Sequence, residues 1–374
     1  MTAPAAFPHP GALTSAPEHS LSTHDRARLI GVGTAVPATS YSQHDMLETF
    51  GIDDPRIRSV FVNSAIERRF LTLPPEDGAG GRVLEEQGAL LAKHKRQGIE
   101  MGARAVDACL KSAGATRADI GYLVCVTSTG FLTPGFTALL IRELGLDRHT
   151  SRLDVVGMGC NAGLNSLTAT AGWAQAHPDR LAVMVCVESC SAAYVFDGTM
   201  RTSVVNSLFG DGAAAVAVIA GDGLERGGPA VLKFASCIIP DAVDAMRYDW
   251  DDEQARFSFF LDPAVPYVVG AHTEIVIDRL LAGTGLRRDD IAHWLVHSGG
   301  KKVIDSVRVN LGLTQHDVRH TTGVLRDYGN LSSGSFLFSY ERLSEESAAR
   351  PGEYGVLMTM GPGSTIETAL VRWN

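Results

Sequence analysis

Two stretches of this chain repeat each other at a fixed distance, and a fold that must accommodate an internal duplication is confined to few architectures. Asp107, Leu110, Gly114, Arg117, Asp119 and Ile120 recur as Asp278, Leu281, Gly285, Arg288, Asp290 and Ile291, a constant offset of 171. In each copy a helical spacing of apolar residues, Gly98 to Ala113 or Ala271 to Gly285, meets a glycine stop and then a β-rich run, Tyr122 to Thr127 or Trp294 to Val296. Further along, the offset slips to 169: CNAGLNS at 160–166 lies opposite GNLSSGS at 329–335, sharing Asn161 with Asn330 and Ser166 with Ser335. Each of these stretches opens a helix after a turn. Two alternating α/β halves predict layered helices around mixed sheets. Residues 27–228 form the first half and 229–374 the second, joined by the Gly, Asp and Pro cluster from Gly221 to Pro229.

A chain of 374 residues, 45% hydrophobic, is long enough for such a pair of halves with a sizeable core, and too long for a small binding module. The net charge of −9 argues against nucleic acid as a partner. Cys109, Cys125, Cys160, Cys186, Cys190 and Cys237 are scattered through apolar runs, which predicts reduced thiols and a cytoplasmic location. Residues 1–26 lack the basic start and unbroken apolar stretch of a secretory signal and read as a mobile tail. No run is long enough to span a membrane, Gly212 to Ala220 being better read as a buried strand.

Cys160 carries the clearest chemical signal. It follows an apolar strand, Leu153 to Val156, through the tight turn Gly157-Met158-Gly159, and precedes a helix running from about Asn161 through Trp173. A thiol at a helix start meets unpaired N–H groups and the positive end of the dipole, an arrangement that predicts a lowered pKa. His297 ends the Trp294–Val296 strand, at the carboxyl edge where α/β folds place ligands. Asn330 sits in Tyr328-Gly329-Asn330-Leu331-Ser332-Ser333-Gly334, where an Asn beside Gly is ordinarily turn chemistry. The duplication changes that reading, because a pseudo-two-fold axis relating the two helix starts brings Cys160 and Asn330 to one cleft beside His297. A thiolate, an imidazole and a carboxamide suit one reaction class. Cys takes an acyl group from a thioester, while His and Asn donate hydrogen bonds to a thioester oxygen as it becomes an enolate. Loss of CO2 from a malonyl thioester needs that stabilisation in a water-poor site, and neither metal nor cofactor.

Other features carry less. His316 and His320 have the spacing of a metal pair but no third ligand nearby. Gly210-Asp211-Gly212 and Gly361-Pro362-Gly363 could approach a phosphate, though a turn is the plainer reading of each.

The stretches GMGCNAGLNSL, LFGDGAAA, HSGGKK, YGNLSSGSF and MGPGSTIE occur in the order found in type III polyketide synthases, and the chain resembles that chalcone-synthase-like family from about Ile30 to Trp373. The resemblance implies a homodimer of thiolase-like, five-layered αβαβα subunits built from two pseudo-repeated halves. It also implies Cys160 as the acyl-carrying nucleophile, with His297 and Asn330 promoting decarboxylation. Phe209 and Phe259 become gatekeepers between a CoA tunnel and the cavity, with Ser332 in the pocket. NSAIERRFLTLPP, VTSTGFLTPG and TTGVLRDYGNLSSGSFLFSYERLSEE are similar to a bacterial branch that builds a dihydroxyphenylacetyl thioester for glycopeptide-type antibiotics. For that branch four malonyl-CoA are consumed, one as acetyl starter and three as extenders, and the C8 chain cyclises and aromatises. Release as a CoA thioester and crotonase-like accessory proteins are implied as well.

Departures from the plant pattern sharpen the expectation. Asn161 stands where chalcone synthases carry Phe, and Cys190 and Ala193 replace two cavity threonines, which speaks against a bulky aromatic starter. Of three basic positions that grip CoA in the plant enzymes, Arg56 is kept while Ser59 and Asn63 occupy the others, leaving Lys301 and Lys302 as substitutes. Three alternatives stay open on the sequence: a ketoacyl synthase of the fatty-acid initiation type, a type III polyketide synthase with a different starter or product, and a catalytically silent partner of the same fold.

Overall fold

In the computed structural model, which describes residues 26–221 and 227–374, the duplicated residues make the same contact twice. Helix Gln87–Ala113 stops at Gly114, whose left-handed backbone (φ 60) ends it, and the Arg117–Asp119 turn sends the Arg117 guanidinium back to Asp107 at 2.6 Å. Helix Val265–Leu281 is followed by the turn Arg288–Asp290, from which Arg288 reaches Asp278 at 2.8 Å. Each turn then feeds a buried strand, Ile120–Thr127 or Ile291–Val296.

The repeat extends through the strands. In hydrogen-bonding order the nine-stranded sheet runs Ile291–Val296, Tyr354–Gly361, Thr365–Arg372, Ala230–Ile238, Arg28–Ala35, Gly212–Ile219, Leu181–Glu188, Ile120–Thr127, Ser151–Val156. Read outward from the centre, each half has two antiparallel pairings followed by a parallel one. Within the sheet the two halves join where Arg28 pairs with Ala230, with backbone hydrogen bonds from Leu29 to Pro229 and from Val231 to Ala27 on either side. Helices Ala162–Ala176 and Ser335–Glu346 pack between the two half-sheets, and helices Gln87–Ala113 and Val265–Leu281 cover their outer faces. The result is the five-layered αβαβα arrangement of two pseudo-repeated halves. Among the described residues no helix is long and apolar enough to cross a membrane, and all six cysteines are unpaired.

Several boundaries differ from the sequence reading, for local reasons. The first long helix begins at Gln87, eleven residues before Gly98. Gly98 is not a start but a contact, since a Cβ there would lie 2.2 Å from the Phe136 ring. The second begins at Val265, with Pro266 in its first turn, where a missing N–H costs nothing. The strand before Cys160, Ser151–Val156, is an edge strand with three residues exposed and three, Leu153 to Val155, half-buried. Gly212–Ile219 is buried throughout, as its composition predicts. The predicted tail lies outside the described residues except for Arg26, which donates to the Leu232 carbonyl at 2.8 Å. Residues 222–226 of the predicted join also lie outside them.

The alignment of the two helix starts is corrected too. The 3-10 turn Gly159–Asn161 leads into helix Ala162–Ala176, and the 3-10 turn Ser332–Gly334 leads into helix Ser335–Glu346. Cys160, the middle residue of the first turn, therefore matches Ser333, the middle residue of the second, and Asn330 lies before that turn. Two shared residues, Asn and Ser, had drawn the sequence alignment out of register.

The two helices cross where Gly163 meets the Ser333 carbonyl. A Cβ at Gly163 would lie 2.2 Å from that oxygen and 2.8 Å from the Phe336 ring, so only glycine fits. Gly172, on the same helix, faces open space. Gly163→Ala is therefore expected to lower stability by about 1–3 kcal/mol through overpacking. Gly172→Ala is expected to raise it by about 0.5–1 kcal/mol through helix propensity. Urea unfolding followed by intrinsic fluorescence distinguishes the two, and equal effects would refute the crossing contact.

Candidate active site

Cys160 is reached through Gly157 (φ 84) and Gly159 (φ 77), both left-handed, which turn the edge strand sharply into the helix. The thiol is buried, and its Sγ lies 3.4 Å from the Ser332 hydroxyl. Gly361-Pro362-Gly363 closes over this turn. A Cβ on Gly361 would sit 3.0 Å from the Cys160 nitrogen, and one on Gly159 would sit 2.3 Å from the Pro362 ring. The sequence left this segment as a turn, whereas its close backbone approach makes it a wall beside the Cys160 thiol.

Asn330 joins the same group. Its Oδ1 accepts the Ser332 N–H at 2.8 Å, which turns the amide nitrogen away from Ser332 and within 3.5 Å of the Gly299 carbonyl. Ser332 holds an uncommon left-handed backbone (φ 49) between these two contacts. Gly299 in turn lies against the ring of His297, where a Cβ would be 3.0 Å from Cδ2 and 3.2 Å from Nε2. A continuous set of contacts thus links Cys160, Ser332, Asn330, Gly299 and His297, and the three residues singled out in sequence converge.

The His297 ring has no carboxylate partner among the described residues. Its Nδ1 makes a short hydrogen bond with the Ser335 hydroxyl, the first residue of the second central helix. Burial pushes the imidazole down to about 3, so it is neutral. Burial also pushes the Cys160 thiol up to about 12, with the field of Glu188 adding to the shift and the Ser332 hydroxyl opposing it. The lowered thiol pKa expected from the helix start is therefore corrected, because desolvation outweighs the dipole.

Glu188 escaped the sequence reading. It ends the Leu181–Glu188 strand, is fully buried, and accepts from the Ser128 N–H and hydroxyl at 3.0 Å each and from the Ser333 hydroxyl in a short hydrogen bond. Burial raises its pKa against these donors. Ser128 also touches Ser332, hydroxyl to hydroxyl at 2.8 Å. The available signal was a lone acid ending an apolar run beside serines.

Phe209 and Phe259 meet edge to face, centroids 6.3 Å apart. Tyr194, also missed, packs at 4.2 Å from Phe209 and 5.4 Å from Phe259, and Tyr248 at 5.0 Å from Phe259 donates to the Ser128 carbonyl at 3.3 Å. Both tyrosines belong to no recognisable motif. Cys190, Phe209 and Tyr194 line one small cavity, and Ala193 and Phe259 line another. Neither cavity includes Cys160, His297 or Asn330. Arg56 is exposed and bound to Asp54 at 3.1 Å, while Lys301 is bound to Asp305 at 2.9 Å; Lys302 is exposed beside it. No described contact joins these three basic residues to the thiol. Gly210-Asp211-Gly212 forms an anchor instead of a phosphate cradle, because buried Asp211 accepts from Ser191 and from the Thr72 N–H.

Residues 15–222 match the N-terminal domain, and residues 232–373 the C-terminal domain, of chalcone and stilbene synthases. The 3,5-dihydroxyphenylacetyl-CoA synthase of Amycolatopsis orientalis is 72% identical over 346 residues, spanning 92% of this chain and 93% of that protein. Its namesake from Streptomyces toyocaensis is 71% identical over 363 residues, spanning 96% and 93%. Among solved structures, the 1,3,6,8-tetrahydroxynaphthalene synthase of Streptomyces coelicolor A3(2), a bacterial type III polyketide synthase, superposes with a TM-score of 0.84 at 27% identity, covering 93% of this chain and 99% of that one. PKS-I from the brown alga Ectocarpus siliculosus gives 0.86 at 25%, covering 93% and 98%. A shared architecture, both matched domains and identity above 70% lead to one conclusion: this chain belongs to the chalcone and stilbene synthase family, the type III polyketide synthases.

Proposed function

We propose that this enzyme condenses four malonyl-CoA on Cys160 and cyclises the chain to 3,5-dihydroxyphenylacetyl-CoA. The observation that carries this reading is the contact chain from Cys160 through Ser332 to Asn330 and on to His297, supported by the identity to synthases of that name.

Acylation begins with a neutral thiol and a neutral imidazole, so the thiol proton leaves as sulfur attacks the thioester carbonyl and CoA departs. His297 takes that proton on Nε2 while its Nδ1–H donates to Ser335; the imidazolium then gives up its Nδ1 proton as the departing CoA thiolate takes one up, so that CoASH leaves and the ring is neutral and protonated on Nε2. In decarboxylation the hydroxyl of Ser335 turns to donate to Nδ1, and the Nε2–H and the Asn330 amide both donate to the malonyl thioester oxygen as CO2 leaves. A hydroxyl serves either tautomer, which a fixed carboxylate could not. The enolate carbon then attacks the acyl group on Cys160, the acyl C–S bond breaks, and the Cys160 sulfur leaves as thiolate, carrying the enolate's charge and ready for the next acyl transfer. No metal or cofactor is needed for these steps.

Phe209 and Phe259 gate the cavity in this reading, Ser332, Cys190 and Ala193 line it, and exposed Lys302 holds CoA phosphates together with Arg56 and Lys301 once these release Asp54 and Asp305. The exposed outer edge of strand Ser151–Val156 supports a homodimer, since an uncovered edge is a pairing surface. Crotonase-like proteins assist the later dehydration, the enzyme works in the cytoplasm, and the product serves glycopeptide-type antibiotic synthesis.

Incubation with malonyl-CoA should release CO2 and an aromatic CoA ester detectable by mass spectrometry; neither product would reject the reading. Cys160→Ala is expected to abolish extension while sparing some decarboxylation. Asn330→Ala is expected to slow decarboxylation by about 100-fold or more, the worth of one oxyanion donor. Equal losses of both steps in both variants would refute the separate roles.

The high thiol pKa also predicts a pH dependence. Only thiolate is alkylated, and below a pKa of about 12 its fraction rises roughly tenfold per pH unit. Iodoacetamide labelling of Cys160 should therefore climb with unit logarithmic slope through pH 9 without a plateau. Ser332→Ala, which removes the contact favouring thiolate, should be slower at each pH. A plateau below pH 8, read by peptide mass spectrometry, would contradict both.

A further inference from the structure

Arg69 is the centre of the short strand Arg68–Phe70, and only 1% of it is exposed. Burying a guanidinium is costly, and such a group is ordinarily compensated by a carboxylate. Here no carboxylate lies within ion-pair distance among the described residues. Instead Nη1 donates to two backbone carbonyls, Asn206 in a short hydrogen bond and Phe209 at 2.8 Å, while Nη2 donates to Gln43 Oε1 at 2.9 Å. Gln43 completes the grip by donating to the Ser207 carbonyl at 2.7 Å. Three carbonyls at the end of helix Met200–Asn206 and just beyond it are thereby held by one buried pair.

The gripped segment carries two functional groups. Phe209 supplies its ring to the gate. The residues on either side of it bind the backbone of Asn330: the Leu208 carbonyl accepts the Asn330 N–H at 2.9 Å, and the Gly210 N–H donates to the Asn330 carbonyl at 3.0 Å. The aliphatic stem of Arg69 also lies under the residue before Asn330. A Cβ on Gly329 would be 2.9 Å from both Cγ and Cδ of Arg69.

We propose that Arg69 is a positioning residue that sets the Asn330 carboxamide and the Phe209 gate together, by fixing the carbonyls of the segment that bears one and pairs with the other. The inference deepens the reading in which Asn330 promotes decarboxylation, and rests on it. Arg69 touches neither the thiol nor the imidazole in any described contact. It should therefore act on decarboxylation and chain length and leave the nucleophile alone.

The test is a double-mutant cycle on the full-length protein, with malonyl-CoA as the probe. Arg69→Met should slow CO2 release by roughly 10- to 100-fold and raise the share of products shorter than C8. Iodoacetamide labelling of Cys160 should stay within about twofold. In an Asn330→Ala background, Arg69→Met should add less than about threefold, because the group it positions is already gone. Arg69→Lys, which keeps the charge but not the two-pronged grip, should recover only part of the loss. Gln43→Ala, which keeps Arg69 and removes its brace, should show a smaller loss with the same non-additivity, and it carries the test if Arg69→Met does not fold. A multiplicative loss in the Asn330→Ala background, or CO2 release unchanged in both Arg69→Met and Gln43→Ala, would overturn the inference. An Asn330→Ala variant that decarboxylates normally would instead remove the role of Asn330, and this inference with it.

Discussion

The closest constraint on the site is a backbone contact: the Ser333 carbonyl occupies the space that any side chain at Gly163 would need. It lets the first turns of the two central helices touch, one from each half of the duplication. Three consecutive functions then fall to hydroxyls of a single helix start. Ser332 meets the thiol, Ser333 binds Glu188, and Ser335 binds His297. The pseudo-symmetry is one of backbone only. One copy presents a thiol at the middle of its turn and the other presents serine at the matching place, so a symmetric scaffold yields an asymmetric reaction centre.

Burial decides the electrostatics of that centre. The helix start favours thiolate, worth some tenths of a kcal/mol to about 2 kcal/mol at most. Removing a thiolate from water costs more, and Glu188 adds a further negative field, so the resting thiol is neutral. The same burial keeps His297 neutral, and its hydroxyl partner does nothing to hold a positive charge on it. A thiol and an imidazole that are both neutral at rest suit chemistry in which negative charge appears on a thioester oxygen only in the transition state. Its donors then act in a low dielectric, where they are strongest.

How much of this was legible in the sequence depends on whether a contact is local. The Asp–Arg pairs at 107 and 117, and at 278 and 288, lie within one helix-turn unit, so the repeat that encodes them could be read directly and gave the fold class. The turn chemistry around Cys160 was equally readable because the glycines are adjacent to it. The register of the second helix start was not, since Asn and Ser recur by chance in serine-rich turns. Glu188, Tyr194 and Tyr248 were missed for a related reason: each is a single residue in an ordinary strand, turn or hairpin, and gains its meaning from partners far away in sequence. The inverted thiol pKa was missed because desolvation is a property of the assembled layers, whereas the helix start is visible locally.

The Phe209 ring and the Asn330 carboxamide are not free to vary separately. Phe209 and Asn330 share one parallel bridge, and Gly210 beside them has its Cβ position 2.3 Å from the Tyr328 carbonyl, which blocks any larger residue. A change that moves the Phe209 backbone therefore moves the Asn330 carboxamide with it. Cavity size can change without that penalty only where the wall comes from other segments. Cys190 and Ala193 sit in and just after a 3-10 turn, Tyr194 follows them, and Tyr248 stands on the Met246–Asp251 strand of a separate hairpin. A larger side chain at Ala193 or a smaller one at Tyr248 alters the space beside Phe259 while leaving the bridge to Asn330 untouched. The space beside Phe259 is therefore set from the Tyr194 side of the cavity, and the placement of the carboxamide from the side of the Phe209–Asn330 bridge.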